Sequence, residues 1–270
     1  MKKFSFLLIL LSLILIVAAC VQQGGESESE GEGGSEGEAN VENSEGEGIY
    51  TVGIDTTYPP FEFQKSGEYQ GIDVELIKAI AENQGFEIQF RPMDFIGIIP
   101  ALEEGELDLA IAGMSITEER KEVLDFSDPY FDAGLALVTT KDNTEINSLE
   151  DLDGKIIAVK SGTTGSKFVG ENREKYGYRI AYFDDSPSMF LEVANGHAQA
   201  LVEDYPVIAY AITTRNLELK TVEERLTGEQ YGIAVLKGKH GELLEKINEG
   251  LQQLRDDGTY EEIVTKYIKS

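Results

Sequence analysis

Cysteine occurs once and histidine twice in this 270-residue chain, and tryptophan is absent. A lone cysteine forms no internal disulfide, and one thiol with two imidazoles falls short of the four ligands of a structural zinc site. The same scarcity leaves little for thiol- or imidazole-based catalysis, and no cofactor or metal is expected. Positive charge is also thin: 23 Lys and Arg face 50 Asp and Glu, for a formal net charge of -27. Nucleic acid and anionic membrane surfaces require clustered positive charge, so neither is expected as the main partner. What remains is enough apolar residue, 41%, to fill the core of one large or two medium domains.

Long apolar runs are scarce as well, the notable one being residues 4–17 behind Lys2 and Lys3. At fourteen residues it is short of the roughly 20 that span a bilayer, which disfavours a permanent transmembrane helix. Val17-Ala18-Ala19-Cys20 closes the run with small residues. Residues 1–20 thus resemble a bacterial lipoprotein signal, which implies that Cys20 is lipidated, becomes the N-terminus and anchors an extracytoplasmic chain to the cell membrane. Residues 21–48 contain nine Glu, eight Gly and four Ser without a single Lys or Arg. Such a segment buries too little surface to offset chain entropy and reads as a disordered acidic tether.

From Ile49 onward, β-branched runs alternate with helical spacing. Strands are expected at 50–54, 86–90, 107–112, 135–140, 155–159, 179–183, 200–202 and 231–236. Helices are expected at 73–84, with Gly85 as its stop, and at 96–104, 165–176, 187–195 and 206–214, with two more at the end. Thr117 reads as an N-cap for the turn Glu118-Glu119-Arg120. This order denotes an α/β protein with mainly parallel sheets in two successive runs. Ligands of such sheets bind beyond the carboxyl ends of the strands, so the loops carrying Asp55 to Phe63, Met93 to Phe95, Ala112 to Arg120, Lys160 to Ser166 and Glu203 to Tyr205 are the candidate site.

Met93-Asp94-Phe95, Gly97-Ile98-Ile99-Pro100-Ala101-Leu102, Ser115-Ile116-Thr117-Glu118-Glu119-Arg120, Asp125-Phe126-Ser127-Asp128-Pro129-Tyr130 and Lys160-Ser161-Gly162-Thr163 carry a specific resemblance. The chain is similar to the extracytoplasmic solute-binding proteins of polar amino-acid ABC importers, nearest the glutamine-binding members. The likeness covers nearly all of residues 49–270, including Asp257-Gly258-Thr259-Tyr260. It implies two α/β lobes joined by two hinge strands, the type II arrangement of periplasmic binding proteins, closing around one amino acid. The first lobe is then residues 49–130 plus 231–270 and the second residues 131–230. A polar amino acid, glutamine favoured, and the permease subunits of an importer are the implied partners.

The resemblance also assigns roles. Arg120 clamps the α-carboxylate through its planar fork, with the helix N-terminus at Thr163 and Thr164 adding N–H donors. Asp204, with the Gly113 carbonyl and the Ser115 hydroxyl, takes the α-ammonium. Tyr58 and Phe95 sandwich the aliphatic stem, and Asp55 and Lys160 read the two ends of a carboxamide. Each residue has a plainer reading. Arg120 pairs on the surface with Glu118 or Asp125, Asp204 caps the helix opened by Tyr205-Pro206, Tyr58 and Phe95 are core aromatics, and Asp55 and Lys160 pair only with each other. Residues 162–167 lack the spacing of a phosphate-binding loop. Glu203 departs from the glutamine-binding pattern, which has a histidine there, and an added acid suits a cationic ligand. A same-fold dehydratase acting on prephenate or arogenate is the enzymatic alternative. His197 lies in a helix-ending Asn-Gly-His turn and His240 precedes the last helices, neither within a ligand loop, which argues for a binding protein rather than an enzyme.

Overall fold

A computed structural model describes residues 48–222 and 225–268. The expected signal, Cys20 and the acidic segment up to residue 47 lie outside the described residues. Two five-stranded sheets carry the fold. The first has the spatial order Glu87–Pro92, Ile49–Ile54, Leu109–Ala110, Ala234–Leu236, Leu124–Phe126. The second has the order Arg179–Phe183, Ile156–Lys160, Ala200–Asp204, Leu135–Thr140, Leu219–Thr221. In each, three strands pair in parallel and two join antiparallel, so the sheets are mixed rather than mainly parallel. Each sheet with its helices forms one α/β lobe.

Helices follow the strands because their apolar residues recur on one side. In α1 (Ile72–Gln84) the buried residues include Ile72, Leu76, Ile77, Ile80 and Ala81, and Gly85 ends the helix in the left-handed conformation with its N–H on the Ala81 carbonyl. Next come α2 (Phe95–Glu103), α3 (Thr164–Tyr176), α4 (Ser186–Ala194) and α5 (Tyr205–Arg215), then α6 (Gly241–Asp256) and α7 (Thr259–Tyr267), which pack back on the first lobe beside α1. The Thr163 hydroxyl accepts from Ser166 N–H and caps α3.

Two crossings join the lobes. Phe131–Asp132 runs out and Gln230–Tyr231 returns, paired antiparallel. Ala133 N–H on the Glu229 carbonyl (2.9 Å) and Leu135 N–H on the Thr227 hydroxyl (2.9 Å) extend the tie. The expected single strand 231–236 is therefore two pieces. Between them Gly232 N–H turns to the Met114 carbonyl and Ile233 N–H to the Ser127 hydroxyl, which breaks the ladder. The stretch after the first strand is likewise not a plain loop, since Thr57–Tyr58, Glu62–Lys65 and Glu68–Gln70 form a small antiparallel sheet.

Gly134 sits at the outgoing crossing with φ 113°, and a Cβ there would lie 2.4 Å from the Thr227 carbonyl oxygen. Both the left-handed backbone and the clash demand glycine. Gly134→Ala is expected to destabilise the protein by about 2 kcal/mol or more, read as a lower urea midpoint at unchanged slope.

Candidate functional site

The carboxyl ends of both sheets face each other across a cleft. Strand Ile49–Ile54 delivers the Asp55 to Tyr58 loop, α2 begins with Phe95, and Leu109–Ala110 leads into Ala112, Gly113 and Ser115. From the opposite lobe, Ile156–Lys160 ends in Lys160 and feeds the N-terminus of α3, while Ala200–Asp204 ends in Asp204. Nine of the ten residues singled out in the sequence, Tyr58, Phe95, Gly113, Ser115, Arg120, Lys160, Thr163, Thr164 and Asp204, line one small cavity, part of it open to solvent. Ala112, which carries no chemical signal, completes the wall.

Arg120 is only 8% exposed. The Thr117 hydroxyl accepts from its backbone N–H (3.2 Å), which turns the chain into a short 3₁₀ helix, Arg120–Glu122. Its guanidinium donates from Nη1 to the Ser115 carbonyl (2.8 Å) and from Nη2 across the cleft to the Gly162 carbonyl (3.2 Å), with Cζ 5.3 Å over the Phe95 ring. These bonds use two of five N–H groups. The surface pairing is not what the fold makes: Glu118 binds Lys121, and Asp125 accepts from Gly238 N–H. Burial lowers the Arg120 pKa, against opposing attraction from Asp204 and Glu119.

Asp204 stands where α5 begins but makes no side-chain capping bond. Its Oδ2 instead accepts from the Tyr58 hydroxyl (2.6 Å) and from the Tyr231 hydroxyl. Tyr58 also lies 3.1 Å from Glu203 Oε1, but it has one proton, and the shorter partner takes it. Among the described residues no donor reaches Asp204 Oδ1. Burial is the largest influence raising the Asp204 pKa, and the two tyrosine hydroxyls oppose it. Glu203, buried behind Asp204, accepts from Ser186 (2.6 Å) and from Asp204 N–H (2.9 Å). Burial and the Asp204 charge push its carboxyl above the usual range.

Asp55 is not among the residues that line the cavity; it stands beside it, bonded to Thr57 and Lys160. Its Oδ1 accepts from Thr57 N–H (3.0 Å) and the Thr57 hydroxyl (2.6 Å), while Oδ2 is paired with Lys160. Both side chains of this cross-cleft ion pair are 3% exposed. Lys160 Nζ also sits 4.6 Å over the Tyr58 ring and 5.6 Å from the Phe95 centroid. Thr163 lines the cavity, but its hydroxyl is spent on the α3 cap and on the Lys160 carbonyl (2.8 Å). His197 and His240 stand outside the cavity, beside Glu192 and Asp108.

Tyr231 was not visible as a site residue in the sequence. It belongs to a crossing strand, and nothing local marks its hydroxyl as a partner of a residue 27 positions away. Glu203 stands out in the sequence only as a departure from the glutamine-binding pattern.

A cleft between two α/β lobes that brings a guanidinium and a carboxylate to one cavity is the architecture of a solute-binding protein. Residues 50–270 match the family described as bacterial extracellular solute-binding proteins, family 3, and the chain belongs to it. It is 34% identical to the ABC transporter glutamine-binding protein GlnH of Bacillus subtilis, over 100% of this chain and 98% of that one. Among solved structures, an ancestral arginine-binding protein bound to arginine has 47% identity and a TM-score of 0.77, covering 82% of this chain and 98% of that one. An ancestral arginine-binding protein bound to glutamine has 46% identity and a TM-score of 0.76, covering 83% of this chain and 99% of that one.

Tyr231→Phe removes a donor from a buried charge and is expected to cost about 1–3 kcal/mol in urea denaturation. In an Asp204→Asn background the same change should cost clearly less, and equal costs would show that the two groups are not coupled.

Proposed function

We propose that this protein binds one free polar amino acid, glutamine in preference, between its lobes and presents it to the membrane subunits of an ABC importer. One observation carries the reading. Arg120 and Asp204 are buried charges of opposite sign in opposite lobes, and among the described residues neither has an ion-pair partner within 4 Å, though both face one cavity. Uncompensated buried charges cost several kcal/mol each, and a zwitterion offers a carboxylate to one and an ammonium to the other. The free N–H groups of Arg120, the first turn of α3 and the Ser115 hydroxyl then surround the carboxylate and ammonium ends.

Selectivity is set by charge balance. Asp55 and Lys160 neutralise each other, as Arg120 and Asp204 do through the ligand, and Glu203 is raised toward its neutral form. A neutral polar side chain preserves that balance, and Lys160 keeps ammonium protons for a carboxamide oxygen. A cationic side chain must compete with Lys160 for Asp55. Ancestral arginine-binding proteins similar to this chain are bound to arginine in one structure and to glutamine in another, so arginine is the competitor to beat. The first lobe is assigned to residues 49–130 plus 231–270 and the second to 131–230. Cys20 and the acidic tether are assigned to membrane anchoring, which keeps the receptor close to its transporter.

A thermal-shift screen of the free amino acids tests this. Glutamine at about a hundred times its Kd should stabilise by about 2.7 kcal/mol, a rise of roughly 5–10 °C for a domain this size. Equal shifts from all of them would refute the selectivity. Arg120→Ala should weaken binding at least about a hundredfold while the fold survives, and retained affinity in calorimetry would remove the carboxylate assignment. Lys160→Met should penalise glutamine more than a ligand without a carboxamide. Cys20→Ser should release the protein from the membrane into the medium.

A further inference from the structure

Glu62 and Asp73 are both fully buried in the lobe that carries Arg120. Glu62 opens strand Glu62–Lys65, next to the loop of Tyr58, and Asp73 lies in the first turn of α1. Asp73 Oδ2 accepts from Gly113 N–H (2.8 Å) and from the Tyr130 hydroxyl (2.9 Å). Among the described residues, its Oδ1 and both carboxyl oxygens of Glu62 have no donor. The two side chains lie within hydrogen-bonding reach of each other. As two carboxylates they would repel in a low-dielectric site and leave three buried acceptors unsatisfied. A single proton on Glu62, donated to Asp73 Oδ1, removes the repulsion and joins the pair. Lys160, the cation facing Glu62, is already paired with Asp55.

We propose that Glu62 holds one proton against Asp73 and that this shared proton positions the Gly113 to Ser115 loop for the ligand. Asp73 grips the Gly113 amide, and that loop has no slack: Gly113 has φ 53°, and a Cβ there would lie 2.6 Å from the Tyr58 ring. Tyr130, the other donor to Asp73, stands at the start of the outgoing crossing, with its N–H on the Tyr231 carbonyl (2.9 Å). The pair therefore ties the ligand loop to the hinge. Its effect on affinity rests on the amino-acid reading of the cleft, whereas the proton itself does not.

The charged and titratable groups acting on Glu62 are Asp73 from α1, Asp55 from the loop after strand Ile49–Ile54 and Lys160 from the other lobe, with Tyr130 and Tyr231 beyond Asp73. Burial is the largest influence raising Glu62, and Asp73 adds to it; burial also pushes Asp73 up to about 6. The folded protein then keeps a proton that the unfolded chain has released. Its stability is full below the ordinary glutamate pKa and falls as pH rises, by about tenfold in the folding equilibrium per pH unit until the pair ionises.

Infrared spectroscopy and calorimetry on the full chain test both halves. At neutral pH the wild type should show a protonated-carboxyl band that Glu62→Gln removes. Raising the pH should abolish that band and weaken glutamine binding together. Glu62→Gln, whose amide supplies the same donor, should bind within about threefold of wild type and keep its affinity at alkaline pH, while Glu62→Leu should bind about tenfold or more weakly. Absence of a band removed by Glu62→Gln overturns the proton, as does a Glu62→Gln chain that does not fold. Equal affinities of the two variants overturn the positioning role. A Glu62 band in a protein that binds no amino acid supports the proton and refutes the cleft reading instead.

Discussion

The cleft is organised by two buried charges, Arg120 and Asp204, that are held in different lobes and not allowed to meet. Each is fixed by neutral partners: Arg120 by the Ser115 and Gly162 carbonyls, Asp204 by the Tyr58 and Tyr231 hydroxyls. Those bonds aim the groups without cancelling their charge, so electrostatic demand is left over for a ligand of both signs. The mixed sheets, the paired crossings and the capped start of α3 all serve to deliver these two side chains to one cavity.

In the proposed reading, closure and recognition are the same event. Arg120 with Gly162, Tyr58 with Asp204, Asp55 with Lys160 and Glu119 with Lys167 each bridge the lobes. Tyr58 with Asp204 and Asp55 with Lys160 are buried and little screened by salt, Arg120 with Gly162 is part-buried, whereas Glu119 and Lys167 are exposed and contribute little. A ligand that adds contacts to both lobes shifts the population toward the closed form by its differential affinity alone, a fraction of the roughly 8 kcal/mol that micromolar binding supplies.

Much of this was legible in the sequence, because strand ends in α/β folds are where ligand loops gather and because the motifs around Arg120 and Lys160 resemble amino-acid-binding proteins, a resemblance that also pointed to Asp204. Less legible were the features that depend on distant pairing. The small sheet at Thr57 to Gln70 and the break at Gly232 arise from hydrogen bonds to partners remote in sequence. Asp55 illustrates the limit: its residue type suits a ligand amide, and only the fold shows that Thr57 and Lys160 already bond its carboxylate. Tyr231 and the pair of Glu62 with Asp73 are legible only once the lobes are assembled, since each matters through a group in another element.

The central claim concerns both ends of one small molecule, and blocked ligands test it most directly. Calorimetry should compare the amino acid that binds most tightly with its N-acetyl and α-carboxamide derivatives. If Arg120 and Asp204 hold the carboxylate and the ammonium, each blocked form should bind at least about a hundredfold more weakly than the parent. A derivative that binds within about threefold of the parent would contradict the account, because one of the two buried charges would then have no part in recognition.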